Sequence, residues 1–215
     1  MLGSTFTNIA IWVFYSFNDP ARAKVEFLNI SLGKIGEHVS NWEHVNLQVI
    51  NFIGELWKVY FLQHNGGIWV DASELEFQNG GGNKAVRPVT YASLHGHAFY
   101  AKPGLVLQCT KGLGIRNDAA KTKMVLDTGQ SQPIILAVDY SGFAISEPPW
   151  LNYCREWGPK LSYHITDELK KVEKLLPGKL KSAFEKFVKS LPNEVLGEEG
   201  PTGPKMKNNW IGDEK

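Results

Sequence analysis

The sequence predicts a mainly β protein, an antiparallel β-sandwich with a C-terminal pair of α-helices. Three observations point there. Between residues 7 and 145, short segments alternate polar and apolar residues or carry β-branched and aromatic runs, separated by Gly, Asn, Asp and Pro. No helical periodicity lies between them, which argues against a parallel sheet with crossover helices. After Thr166 the apolar spacing changes to three and four, the helical period. A chain of 215 residues with 43% hydrophobic and 12% aromatic content can bury one sizeable core. The expected organisation is a sandwich domain over 1–160, a helical appendage packed on it over 161–196, and a Gly/Pro/charged tail over 197–215.

Thr7 to Phe17 holds Ile9, Ile11, Trp12, Val13, Phe14, Tyr15 and Phe17 and stops at Asn18-Asp19-Pro20, the pattern of a central strand and its exit. Lys24 to Ile30 alternates as one further strand, and Ser31 to Gly36 forms a loop. Glu43 to Val49 alternates again, which places Glu43 on the face of Val45, Leu47 and Val49. A turn at Asn51 to Glu55, containing Gly54, leads to a strand over Leu56 to Gln63. His64-Asn65-Gly66-Gly67 then turns the chain into Ile68-Trp69-Val70. Gln78 to Asn83, with three consecutive glycines, reads as a surface loop. Val89 to Leu94, Leu105 to Gln108, Ile134 to Asp139 and Phe143 to Ile145 are expected as short strands.

Glu147 to Lys160 combines two adjacent prolines with Trp150, Tyr153 and Trp157, which suits an ordered segment laid across a sheet. Thr166 is placed to cap a helix whose Leu169, Val172 and Leu176 share a face, and Pro177-Gly178 ends it. Leu180, Phe184, Phe187, Val188 and Leu191 give a second helix its apolar face, with lysines opposite. A helix docked on the sandwich with a solvated lysine face is expected, in preference to a membrane-binding amphipathic helix.

Composition narrows the function classes. The net charge of +1, from 23 basic and 22 acidic residues, gives no field that favours nucleic acid or an anionic membrane. Cys109 and Cys154 do not make a disulfide framework and read as buried thiols in a reducing compartment. There is no signal-peptide pattern, and no apolar run reaches the ~20 residues of a transmembrane segment, so a soluble cytoplasmic protein is expected. Gly112-Leu113-Gly114 lacks the third glycine of a dinucleotide fingerprint and reads as a turn. No Gly-x-Ser-x-Gly elbow is present.

The chemistry-bearing residues cluster instead. Gly36 to Val45 packs His38, Asn41, Glu43 and His44 into ten residues at a strand entrance. A carboxylate on an apolar face is costly to bury unless a cation or a strong donor satisfies it. Five of the six histidines, His38, His44, His64, His95 and His97, fall between residues 38 and 97, most of them beside turns. Strand ends of an antiparallel sheet can collect at one rim. With Asp19 and Glu43, these histidines form a candidate divalent-cation site for Mg²⁺, Ca²⁺ or Mn²⁺.

Several motifs carry a family resemblance. Ile9 to Tyr15, Trp42-Glu43-His44-Val45, Gln63-His64-Asn65-Gly66-Gly67, Ser93-Leu94-His95-Gly96-His97, Gly114-Ile115-Arg116-Asn117-Asp118, Pro148-Pro149-Trp150 and Gly200-Pro201-Thr202-Gly203-Pro204-Lys205 together resemble the C-terminal portion of the plant proteins called vacuolar protein sorting-associated protein sixty-two. That family centres on a domain of unknown function. The resemblance implies a trafficking role, a position peripheral to endomembranes, and a missing N-terminal half of a longer protein. A fainter likeness links Tyr15 to Pro20, His38-x-x-Asn41-x-Glu43 and His95-Gly96 to the necrosis- and ethylene-inducing-peptide-like toxins. It implies a β-sandwich whose Asp19, His38, Asn41 and Glu43 hold a divalent cation at a rim that binds a lipid headgroup or glycan. Asn41 stands where those toxins carry aspartate, one ligand charge fewer for a hard cation.

The function expected is a non-catalytic binding module for a lipid headgroup or glycan. The alternatives are a metal-dependent hydrolase, with Glu43 or a histidine as general base toward a metal-bound water, and an inactive truncated copy.

Overall fold

The computed structural model describes residues 5–63, 66–79, 86–108, 113–134, 147–159, 163–189 and 201–207. In chain order its elements are β1 (Phe6–Asn18), β2 (Arg22–Val25), β3 (Leu28–Ser31), β4 (His38–Ile50), β5 (Glu55–Gln63), β6 (Gly66–Asp71), β7 (Phe77–Asn79), β8 (Val86–Pro88), β9 (Tyr91–Ala92), β10 (Phe99–Tyr100), β11 (Gly104–Gln108), β12 (Leu113–Ala119), α1 (Ile165–Leu175) and α2 (Gly178–Lys189). The protein is mainly β, with antiparallel sheets and two helices toward the C-terminus, as the sequence predicts.

Two four-stranded sheets dominate, ordered β1-β4-β5-β6 and β11-β12-β2-β3, with two-stranded ribbons β7-β8 and β9-β10 beside them. The alternation along β4 and β5 puts Val45, Val59 and Phe61 on one face of the first sheet. There they bury with Val70 and Phe99 and are flanked by Ile11, Val13 and Leu47. The second sheet buries Ala23, Val25 and Ile115 against Val172 and Leu176 of the α1 segment and Phe184 and Phe187 of α2. Each of the Val, Ile, Leu and Phe side chains contributes about 1.5–3 kcal/mol on leaving water. The apolar face of α2 is therefore covered by the protein itself, while Lys179, Lys186 and Lys189 stay exposed. This is the docked helix expected from the lysine pattern.

Several local expectations change. Lys24 to Ile30 is a hairpin rather than one strand, because β2 reverses through Glu26-Phe27, with Glu26 at φ 52°. Polar/apolar alternation continues through a two-residue turn and cannot register the reversal. Leu113 and Gly114, read as part of a turn, instead open β12, which runs on to Ala119 and pairs with both β11 and β2. Gly114 lies inside that strand, and a Cβ there would stand 2.7 Å from the Gln108 carbonyl oxygen, so close strand approach demands the glycine.

The strand expected over Val89 to Leu94 shrinks to Tyr91–Ala92 and a bridge from Ser93 to Ala119. β1, expected as a central strand, stands at one end of the described strand order. Thr166 lies within α1, and His164 occupies the cap position without a side-chain cap bond; Asp167 and Glu168 supply negative charge to the first turn. Cys154 is exposed, not buried, because it sits on the surface of the segment that crosses the sheet. Cys109, His64, Leu191, residues 80–83 of the glycine loop, residues 135–139 and the strand expected over Phe143 to Ile145 lie outside the described residues.

Candidate functional site

β4 organises the site because its two faces carry different chemistry. The strand starts at His38, after a turn with Gly36 at φ 82°, and Ser40 takes φ 65°. A left-handed serine within a strand is a strained conformation that the surroundings must hold. The His38 ring Nδ1 lies 2.6 Å from the Ser40 carbonyl oxygen, across this irregularity. From Asn41 onward the alternation is regular, and Asn41, Glu43 and Val45 share one face.

On that face, the buried Asn41 donates through Nδ2 to Glu43 Oε1 at 3.0 Å and to the Gly96 carbonyl oxygen at 3.3 Å. Glu43 is only 2% exposed. The turn that supplies Gly96 is tied to the exit of β1 twice. Asp19 N–H donates to the His95 carbonyl oxygen at 3.2 Å, and the Asp19 carboxylate Oδ2 lies 3.3 Å from His95 Nδ1. The Asp19 side chain is 49% exposed and that of His95 13%, so the aspartate is the solvent-facing member.

Tyr15, directly across from Asn41 on β1, stacks its ring on His97 with centroids 4.0 Å apart and planes at 10°. His97 holds φ 58° to make that turn. Burial, and then the negative charge of Glu43, push the Tyr15 hydroxyl up to about 12, and the same two causes raise Tyr100. Behind the turn, Leu94 N–H donates to the Asp118 carbonyl oxygen. The Arg116 guanidinium grips the Asp118 carboxylate with two bonds, of 2.9 and 2.7 Å, and holds its carboxyl below the usual range.

The other face of β4 is sealed. Trp12 stacks on the fully buried His44 with centroids 4.3 Å apart. Trp42 stacks on Trp150 at 5.7 Å and meets the edge of Trp157 at 5.2 Å. A C-terminal strap closes over them. The Trp157 backbone N–H donates to the Pro201 carbonyl oxygen, and Lys207 Nζ donates to the Trp42 carbonyl oxygen. Gly203 lies so close to Trp157 that a Cβ would stand 2.3 Å from the indole nitrogen. Burial first, and the Lys207 charge second, lower the His44 pKa to about 3, so this imidazole is neutral at physiological pH.

Asp19, Asn41, Glu43, His95 and His97 thus gather at one rim, and His38 stands at the same end of the sheet. His44 belongs to the opposite face, and His64 lies outside the described residues. The four residues expected to hold a cation, Asp19, His38, Asn41 and Glu43, are divided among separate partners. Asp19 pairs with His95, His38 meets Ser40, and Asn41 turns its amide nitrogen on Glu43. Among the described residues no three His, Cys, Asp or Glu side chains stand together as a group that could hold a metal ion. As arranged, these side chains do not fit a preformed coordination set.

Sequence reasoning missed Tyr15, Gly96 and Lys207. Tyr15 and Gly96 stood in the motifs without a role of their own, and Lys207 acts through a long-range contact that leaves no local signature. The family model for vacuolar protein sorting-associated protein 62 matches residues 1–214. The chain belongs to that family. No curated protein and no solved structure matches it. Several of the motifs that carry the family likeness meet at β4. Ser93 to His97 covers one of its faces, while Trp150 and the segment from Pro201 to Lys207 cover the other.

Proposed function

We propose that this member of the vacuolar-sorting-associated family is a non-catalytic binding module, and that the rim at the start of β4 takes polyhydroxyl chemistry, the hydroxyls of a glycan or of a sugar-bearing lipid headgroup. The observation that carries the reading is the half-exposed Asp19 carboxylate, fixed by His95 beside the buried Asn41–Glu43 pair. Carboxylates accept hydrogen bonds from hydroxyls and repel phosphate, so this rim suits neutral sugar hydroxyls better than an anionic headgroup. The Tyr15–His97 stack adds an aromatic element beside those polar groups, a combination common in ligand sites. A trafficking role is part of the proposal, supported by the family description alone.

The test is a glycan-panel screen of the full chain, then calorimetric titration of the best oligosaccharide and of vesicles bearing the same sugar, each with and without Mg²⁺, Ca²⁺ or Mn²⁺. Asp19→Ala is expected to weaken binding at least about tenfold, the loss of one charge-assisted hydrogen bond. Because the Asp19 side chain is half exposed, the melting temperature should barely move. Binding by the free sugar identifies a glycan ligand; binding only to sugar-bearing vesicles, beyond that to the same vesicles without the sugar and lost in Asp19→Ala, identifies a headgroup. No saturable sugar binding, or binding unaffected by Asp19→Ala, contradicts the reading.

A further inference from the structure

The far end of the same sheet carries a feature that the rim does not use. β4 and β5 are joined by Asn51-Phe52-Ile53-Gly54, and Asn51 to Glu55 are all exposed, with Phe52 82% and Ile53 62% accessible. Turns of this kind are normally built from Gly, Asn, Asp, Pro and Ser. Here Asn51 and Gly54 do that work. Gly54 takes φ 69° and its N–H donates to the Ile50 carbonyl oxygen at 2.8 Å; Asn51 N–H donates to the Thr5 carbonyl oxygen, and its side chain accepts from Thr7 Oγ1. Phe52 and Ile53 contribute nothing to the turn's hydrogen bonding, yet they are the two residues it displays. A Cβ on Gly54 would meet nothing within 4 Å, so the tip projects into open space.

Just behind the tip, Trp57 occupies the irregular position between the Gln48–Lys58 and Val49–Leu56 pairs, stacks on Phe6 at 4.5 Å, and is 39% exposed. Lys58 Nζ stands 4.4 Å from the Trp57 ring centre and 3.6 Å from the Asp71 carboxylate.

We infer that the β4–β5 hairpin tip inserts Phe52 and Ile53 into the apolar surface layer of a zwitterionic phospholipid bilayer, with Trp57 at headgroup depth. A projecting tip with two adjacent large apolar residues penetrates a deformable lipid surface, whereas a rigid protein partner or a second copy needs a broad matching face. An aromatic ring with a lysine beside it is the arrangement favoured at the lipid–water boundary. Charge fixes the lipid class. Glu55 and Asp71 outnumber Lys58 around the tip, so anionic lipid adds no attraction, and insertion rests on apolar contact. The thirteen residues of β4 span about 40 Å at a strand's rise per residue. With the tip in the bilayer, the Asp19 rim faces away and takes its ligand from solution or from an opposing surface.

The test is co-sedimentation of the full chain with phosphatidylcholine vesicles, with and without phosphatidylserine, at low and high salt. Wild type should partition equally in all four conditions. Phe52→Ser with Ile53→Ser, which removes no hydrogen bond, should melt as wild type and lose roughly tenfold in partitioning per side chain. Brominated phosphatidylcholine should quench a fraction of the fluorescence of the seven tryptophans, and Trp57→Phe should remove that fraction. Asp19→Ala should leave vesicle binding intact, which separates this surface from the rim. Absent binding by wild type, unchanged binding by the double variant, or binding that requires phosphatidylserine and vanishes in salt overturns the inference. So does a concentration-dependent dimer in sedimentation equilibrium that the double variant abolishes.

Discussion

On one face of β4, Asn41 and Glu43 lie under the turn that carries His95 and Gly96, with the half-exposed Asp19 at its edge; on the other, Trp42 and His44 lie beneath Trp12, Trp150, Trp157 and a C-terminal strap. Both faces bury polar groups, and they do so differently. The rim face buries Glu43 but gives it a hydrogen-bonding neighbour in Asn41. The strap face surrounds His44 with rings and keeps it neutral. A strand with two-residue periodicity can thus hold a polar site and an apolar seal back to back, one residue out of phase.

The largest expected effect comes from Asn41→Asp. It replaces an amide donor by a carboxylate against Glu43 Oε1 and the Gly96 carbonyl oxygen, and should destabilise by about 3–5 kcal/mol, the cost of an uncompensated buried charge. Repulsion raises a carboxyl pKa above its unfolded value, so the penalty is full at neutral pH and fades as acid supplies a proton. Melting curves across pH check this. Recovery of the variant by Mg²⁺, Ca²⁺ or Mn²⁺ at neutral pH would instead place a cation among Asp19, Asn41 and Glu43.

On the strap face, the His44 pKa is depressed to about 3 from an ordinary 6.5. Its contribution to stability is complete above the unfolded value and is lost as pH falls from there toward the folded one. Wild type should therefore lose about 1.4 kcal/mol per pH unit relative to His44→Phe between about pH 6 and 4. Parallel urea denaturation of both proteins measures the difference, and equal slopes would mean that His44 opens to solvent in acid.

Gly203→Leu tests the strap itself. With no space beside Trp157 it should lift the segment from Pro201 to Lys207 at a cost of about 1–3 kcal/mol and expose Trp157, leaving rim binding unchanged. Tryptophan fluorescence and rim titration together check both halves of that expectation. The smallest effect is on Tyr15. Glu43→Gln should lower its pKa from about 12 only part of the way, since burial is the larger cause, as ultraviolet titration would read.

The fold was legible wherever a pattern ran uninterrupted. The alternation from Glu43 to Val49 placed Glu43 with Val45, and the spacing of Leu180, Phe184 and Phe187 marked the face that buries. It failed where periodicity carries no information on reversal or on long-range pairing, as at Glu26-Phe27 and in β12. The rim was legible as a set of residue types, since Asp19, Asn41, Glu43 and His95 do gather. Their division into pairs was not, because which partner Asp19 or Asn41 takes depends on a turn some fifty residues or more away in sequence. His44 shows the same limit, because only strand phase separates it from Glu43.

The most direct measurement is a heteronuclear NMR titration of the full chain with the oligosaccharide selected by the glycan panel. The account predicts saturable shifts at the backbone amides of Asp19, His38, Asn41, His95, Gly96 and His97, with Trp150, Trp157 and Lys207 unmoved. Shifts confined to the strap face, or spread evenly without saturation, would contradict it.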